Sequence, residues 1–245
     1  MRRPRCAGGS FSTTTRRGCS TPPSPPRLIA RARTGLRSSP SPRPRSFPSC
    51  ASTSTTAASS CALEPAHWGL RPSWAKEKGL RPINARYETV TTNGMFRGSF
   101  SSQRVVVPMT GYYEWGEQED GTKQPYFVHP KDGGLLNAAG LSAARRSEDG
   151  ESWDITFTII TREAKDAAGE VHDRMPAYLP DDKLGEWLAP GKLDDDEKAD
   201  LYQGLGEVSE EIAATFVTHP VSREVNNARK VDRTDPSLIE PVELD

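Results

Sequence analysis

The chain has 245 residues, 34% of them apolar and 27% charged, enough for one large domain or two small ones. No apolar run approaches the roughly 18 residues that span a bilayer, which excludes a helical integral membrane protein. The formal charge of −1 hides a sharp break: residues 1–65 hold eleven Arg against the single acid Glu64, +10, and the remainder holds 21 basic against 32 acidic residues, −11. A domain at −11 is not a broadly basic nucleic-acid binder, so any nucleic acid must meet it at a local patch.

Residues 1–66 are expected to form a disordered basic segment. Thr21-Pro-Pro-Ser-Pro-Pro26 and Ser38-Ser-Pro-Ser-Pro-Arg-Pro-Arg45 have no hydrophobic period and cannot offset chain entropy by burial. Cys6, Cys19, Cys50 and Cys61 all fall in this segment, at spacings that match no zinc pattern. Neither a structural disulfide nor a metal site is expected there, and no cofactor is implied. An Arg- and Ser-rich, acid-poor leader fits an organellar transit peptide, and a basic tail fits non-specific contact with nucleic acid. A frame change or misassigned start fits best. Arg, Pro, Ser, Ala, Thr, Gly and Cys share GC-rich codons, Lys is absent before Lys76, and the switch near Ala66-His67-Trp68-Gly69-Leu70 is abrupt.

From residue 67 to 245 the chain reads as folded. Arg104–Met109 is β-branched and short, a strand ending near Pro108. Gly111–Trp115 continues as a strand, and Glu117–Thr122, with Asp120-Gly121, signals a hairpin turn. Pro125–His129 and Leu135–Leu141 flank Asp132-Gly-Gly134, which predicts a second hairpin. Trp153–Thr161 alternates as a strand. Asp181–Leu188 predicts a short amphipathic helix with a Leu184/Trp187/Leu188 stripe, and Leu193–Leu201 a second helix with acids at its start. Thr215–Val221 reads as a late strand. Short strands at close spacing with few helices predict an α+β fold, mainly an antiparallel β-barrel-like sheet with flanking helices.

Three segments carry chemistry. On an extended strand Asn84, Arg86 and Glu88 share one face, either a buried polar ladder or a site wall. Glu114 lies between Tyr113 and Trp115, where aromatic surroundings raise a carboxyl pKa toward proton-transfer range; the alternative is a strand Glu facing water. His172 is followed by Arg174 and Met175-Pro176, and that company raises its functional weight. After residue 66 no cysteine, serine elbow or metal triad appears, which argues against an unrelated hydrolase built on His172 and Glu114.

Ten segments in order resemble the SOS-response-associated peptidase (SRAP) family of abasic-site-processing proteins. They are Trp68-Gly-Leu-Arg-Pro-Ser-Trp-Ala-Lys76, Ile83-Asn-Ala-Arg-Tyr-Glu-Thr89, Phe96-Arg97, Arg104-Val-Val-Val-Pro108, Gly111-Tyr-Tyr-Glu-Trp115, Lys123-Gln-Pro-Tyr-Phe127, Ala139-Gly-Leu141, Phe157-Thr-Ile-Ile-Thr161, His172-Asp-Arg-Met-Pro176, and Pro220-Val-Ser222 with Val225-Asn226. The resemblance implies a protein of the DNA damage (SOS) response that binds single-stranded DNA and cross-links covalently to an abasic site, with peptidase and lyase activities. Its nucleophile would be an N-terminal cysteine whose amine forms a Schiff base with the ring-opened sugar and whose thiol closes a thiazolidine. By matching positions, Asn84 would orient the amine, Glu114 would relay protons, and His172 would help open the sugar ring and reverse the link. Arg86 and Arg174 would hold phosphates, and Trp68 and Trp74 would stack or wedge against bases. Arg97 and Arg104 are weaker phosphate candidates.

The chain departs from that pattern at Met1-Arg2-Arg3, which carries Arg2 where the resemblance asks for cysteine. The family domain is therefore expected over residues 67–245 and incomplete at its N-terminus. A non-catalytic single-stranded-DNA-binding remnant is the alternative function. The implied partner is single-stranded DNA with abasic sites, and the expected state is a monomer. A bacterial chain would work in the cytoplasm or nucleoid; an organellar leader stays open.

Overall fold

In a computed structural model of the chain, the described residues are 27–33, 60–76, 78–147, 150–227 and 229–244. Cys6, Cys19 and Cys50 lie outside them. Among the described residues, ten strands and four α-helices form an α+β architecture of two sheets. The strands are β1 (Arg27–Arg33), β2 (Ser60–Trp68), β3 (Asn84–Arg86), β4 (Arg104–Met109), β5 (Tyr112–Glu117), β6 (Lys123–Pro130), β7 (Leu136–Arg146), β8 (Trp153–Glu163), β9 (Arg174–Pro176) and β10 (Phe216–Pro220). The helices are α1 (Arg97–Ser102), α2 (Asp166–Gly169), α3 (Leu184–Trp187) and α4 (Asp195–Ala213).

The larger sheet runs β2-β1-β4-β7-β8-β3, with β9 on β8. Its neighbours are mostly antiparallel, and the sheet curls into a half-barrel. A short parallel contact of His67 and Trp68 with Thr156 and Phe157 brings β2 back against β8. The smaller sheet runs β10-β6-β5. Residues 27–33 and most of β2 fall within the segment expected to be disordered. The sheet takes them up: β1 pairs with β2 along its length and meets β4 at Ala30 and Val106, and the boundary drawn at residue 66 falls inside β2. Backbone pairing of this kind needs no hydrophobic period, which is why composition missed it.

Two cores cover the two faces of β4 and β8. Val106, Leu141 and Ile160 face α1, α3 and α4 around the fully buried Phe100 and Trp187. Val105, Val107, Phe157 and Ile159 face the smaller sheet, where Val128 and Phe216 meet them. Both faces are covered, so β4 reads as a continuous Val run, while in β8 buried threonines alternate with apolar residues over Ile155–Ile159.

The hairpin predicted around Asp132-Gly-Gly134 does not form. β6 is already paired on one edge with β5 and on the other with β10, so the chain crosses to the larger sheet as β7. The helix expected to end at Leu201 continues to Ala213. Its start is fixed by a capping box, in which Asp194 accepts from the Glu197 amide at 2.8 Å and Glu197 accepts from the Asp194 amide at 2.8 Å. Gly204 and Gly206 hide its second half from a propensity reading. Gly206 is required by close packing, since a Cβ there would lie 2.4 Å from the Tyr87 hydroxyl. Asp181–Leu188 divides into a 3-10 turn, Asp181–Lys183, and the single turn of α3.

Arg104 is a structural residue. It is 6% exposed, and its guanidinium donates to the carbonyls of Phe100, Ser101, Trp187 and Ala189 at 2.7–3.0 Å. These oxygens lie at the ends of α1 and α3, where a helix leaves unpaired acceptors and partial negative charge. The positive charge is spent inside the fold and is closed to phosphate.

Candidate active site

β8 organises the site. β3 lies parallel to it, pairing Asn84 with Ile159 and Arg86 with Thr161, and β9 lies antiparallel, pairing Arg174 with Glu163. Alternation then puts Asn84 and Arg86 on one exposed face and buries Ala85 between them. Glu88 is not part of that strand. It sits in the 3-10 turn Tyr87–Thr89, where it meets Arg174.

Arg174 ties two of the three segments together. Its Nη1 and Nη2 donate to the Glu88 carboxylate at 2.6 and 3.1 Å, and Nη2 also donates to the Thr161 carbonyl. The hydrogen bond from Arg174 holds the Glu88 carboxyl below its usual range. Arg86 makes no side-chain hydrogen bond among the described residues and is the freer cation of the two.

His172 is exposed at the turn before β9. Its Nδ1 lies 3.0 Å from the Arg174 amide and 3.1 Å from the Asp173 carboxylate. The Arg174 amide donates to Nδ1 and fixes the ring over the turn. Glu114, on β5 of the other sheet, completes the group. Burial pushes its carboxyl up from the ordinary value; His172 and the Trp115 amide oppose that, and Asp173 adds to it. The electrostatic link between Glu114 and His172 joins the third segment to the other two.

Beside Asn84, the Trp68 indole donates to the Ile83 carbonyl at 2.7 Å and stacks on Phe157 with centroids 6.3 Å apart. Trp74 is 65% exposed. Trp68 and Arg86 give an aromatic and cationic border to the face that carries Asn84. Arg97 starts α1 on an exposed position.

Sequence reading missed three residues around Glu114. Asn226 accepts from the Trp115 indole at 2.6 Å. Tyr112 and Tyr178 bury their hydroxyls, and Glu114 acts on both electrostatically. The Tyr112–Glu114 spacing was a signal for the first of these, since residues two apart on a strand share a face. Tyr178 had none. Among the described residues, no three His, Cys, Asp or Glu side chains converge as metal ligands, and no helix is long and apolar enough to cross a membrane.

The profile of the SOS response associated peptidase (SRAP) family matches residues 26–228. The chain belongs to the SRAP family. The match begins one residue before β1. The chain is 34% identical over 175 residues to the abasic site processing protein YoqW of Bacillus subtilis, covering 71% of this chain and 74% of that protein. It is 32% identical over 189 residues to the abasic site processing protein YedK of Escherichia coli, covering 74% and 75%. An abasic site processing protein of Gallus gallus, HMCES, is 31% identical over 202 residues, 72% of this chain and 56% of that one. A solved structure from Bacteroides thetaiotaomicron superposes with a TM-score of 0.60 at 26% identity, over 74% of this chain and 77% of the other. A phage-related protein of Bordetella bronchiseptica superposes at 0.52 with 29% identity, over 67% and 73%.

Proposed function

We propose that the chain processes abasic sites in single-stranded DNA through the site built from Asn84, Glu114 and His172. The observation that carries this reading is that β3 and β9 flank β8 and bring Asn84, Arg86, Arg174 and the exposed His172 together, with the half-buried Glu114 carboxyl electrostatically linked to His172. An abasic sugar equilibrates between a closed ring and an aldehyde. An amine that attacks the aldehyde gives a carbinolamine, which must lose water to become an imine. Both steps move protons near neutral pH, and a carboxyl raised by burial suits them. His172 opens the ring from the solvent side, Asn84 orients the attacking amine, and Arg86 and Arg174 hold flanking phosphates. Trp68 and Trp74 offer faces to the neighbouring bases.

The covalent outcome is a thiazolidine, formed when a thiol on the same residue as the amine adds across the imine. That step belongs to an N-terminal cysteine. Residues 62–245 hold no cysteine, which supports a second reading, in which the domain binds single-stranded DNA without the covalent step. Relatives named as abasic site processing proteins support the first.

The test uses oligonucleotides that differ only in one abasic site. Binding is followed by anisotropy, and covalent capture by denaturing gels. The abasic strand is expected to be held more tightly than the intact strand, and Arg86→Ala or Trp68→Ala is expected to weaken both. Equal affinity for the two strands, unchanged in Asn84→Ala and Glu114→Gln, overturns abasic-site recognition.

A further inference from the structure

Glu114 has a solvent side and an inner side, and they differ in kind. On the solvent side stand His172 and Asp173. On its own strand Tyr112, two positions earlier, shares its face. Tyr126 lies opposite it in register on β6. Tyr178 approaches from the extended run after β9, where it bridges to Ala138 of β7.

Tyr178 is fully buried. Its ring meets Phe216 edge-on at 4.9 Å, and its amide donates to the Ser209 hydroxyl at 3.1 Å, so the phenol cannot swing away. The hydroxyls of Tyr112 and Tyr178 face one another, and Glu114 is the charged group that acts on both. Neither hydroxyl completes a hydrogen bond of full geometry in the resting arrangement. Burial pushes both phenols well above their ordinary values, so they stay neutral and can only donate and accept.

Packing alone does not account for this pair. Two phenylalanines would fill the same space without two sealed hydroxyls, each of which costs free energy when left unmade. Two facing hydroxyls hold two donor protons. One can satisfy the partner hydroxyl; the other needs a further acceptor. The carboxylate of Glu114 is the acceptor of matching charge.

We propose that Tyr112 and Tyr178 are positioning residues for Glu114, forming a two-hydroxyl chain in which Tyr178 donates to Tyr112 and Tyr112 donates to the carboxylate when it ionises. The chain fixes the carboxylate's orientation and offsets its desolvation from the inner side. The solvent-side oxygen stays available to exchange a proton with His172 or the reacting amine. No bond is made or broken by the tyrosines themselves. The inference rests on the reading of Glu114 as the proton-transfer group, and its test separates the two.

The experiment is a carboxyl-carbon NMR titration of Glu114 in the full chain without DNA, for the parent, Tyr112→Phe, Tyr178→Phe and the double variant. Phenylalanine keeps the ring, and a melting curve confirms the fold of each. The Glu114 midpoint is expected to move to higher pH in Tyr112→Phe and by less in Tyr178→Phe, with the double variant no further than Tyr112→Phe, as for links in series. The pH profile of abasic-strand processing is expected to move the same way, with a rate at neutral pH down roughly three- to tenfold. The shift in the pH profile is expected to vanish in a Glu114→Gln background. An unmoved midpoint with a changed melting curve overturns the proposal and leaves the tyrosines as packing. A midpoint that moves while processing is unaffected supports the chain and refutes the role given to Glu114.

Discussion

Glu88 grips Arg174 with both carboxylate oxygens, at 2.6 and 3.1 Å. The pair joins the turn after β3 to the start of β9 and occupies the guanidinium that would otherwise meet a phosphate. A phosphate reaching Arg174 must compete with a carboxylate already in place. Removing that carboxylate's charge should therefore tighten single-stranded DNA. Glu88→Gln is expected to raise affinity roughly two- to fivefold at low salt, and Arg174→Ala to lower it, with a shallower salt dependence. Anisotropy titrations at two salt concentrations check this. Weaker binding in Glu88→Gln would mean that Glu88 orients Arg174 for the phosphate.

The same pair predicts a pH effect on stability. The Glu88 carboxyl is lowered in the fold by Arg174, so its contribution is present above the unfolded value and is lost as pH falls through the folded one. The pair is partly exposed, at 22% and 48% for the two side chains, so the contribution is small, ~0.5–1 kcal/mol. Denaturation midpoints of the parent and Glu88→Gln are expected to converge in acid and separate at neutral pH.

Arg104 carries the largest expected stability loss. Four carbonyls at the ends of α1 and α3 share its donors. Arg104→Met fills much of the volume but leaves those acceptors buried and unpaired, for a loss of roughly 3–5 kcal/mol. Lysine has too few donors in the wrong geometry to restore it. Urea denaturation of both variants measures the loss; DNA affinity corrected for folded fraction should not change.

These two arginines show what the sequence could and could not reveal. Arg174 was legible because its neighbours, His172 and Met175-Pro176, formed a recognisable segment. Arg104 looked like a strand-end cation, since nothing local announces that α1 and α3 converge on it from residues 100 and 189. The strands β4, β5 and β8 were legible from β-branched runs and alternation. The destination of the chain after Asp132 was not, because pairing of β6 with β10 is set some ninety residues later. Asn84, Glu114 and His172 were found as separate segments. Their relation, carried by β8 and Arg174, is a property of sheet order. Tyr178 left no sequence signal at all, since a tyrosine after Met-Pro reads as core.

The C-terminal segment is clasped to the small sheet through two histidines. His129 and His219 lie 3.3 Å apart between ring nitrogens, and His219 Nε2 donates to the Ile239 carbonyl at 2.8 Å. Tyr113 donates to the Leu238 carbonyl at 3.2 Å, and the Val242 amide donates to Pro220 at 2.9 Å. His219→Phe keeps a ring against Phe127 but removes both hydrogen bonds. Amide exchange at Glu240 and Val242 is expected to rise roughly five- to tenfold without a change in core exchange. Unchanged protection would show that packing of Leu238 alone holds the segment.

Gly111 leads into the strand of Glu114 and tolerates no side chain. A Cβ there would lie 2.3 Å from the Phe127 ring and 2.7 Å from the Val128 carbonyl. Gly111→Ala must push β5 off β6 and carry Glu114 with it. A loss of about 1–3 kcal/mol is expected, with a fall in abasic-strand processing larger than the folded fraction explains. A stability loss with full activity in the folded fraction would show that Glu114 tolerates displacement of its strand.

Glu114 itself should trade stability for function. Burial raises its carboxyl in the fold, so the folded state binds the proton more tightly than the unfolded state does. Stability is then fully present below the unfolded value and declines as pH rises toward the folded one. The ionised carboxylate is retained at a cost that a neutral amide of the same shape does not bear. Glu114→Gln is expected to melt higher than the parent at neutral pH and to match it in acid, while abasic-strand processing falls by two orders of magnitude or so. Melting curves at two pH values, set beside processing rates, decide it. A variant that melts lower at neutral pH would mean that the ionised carboxylate is held by partners strong enough to outweigh its burial, and the proton-transfer role would lose its physical basis.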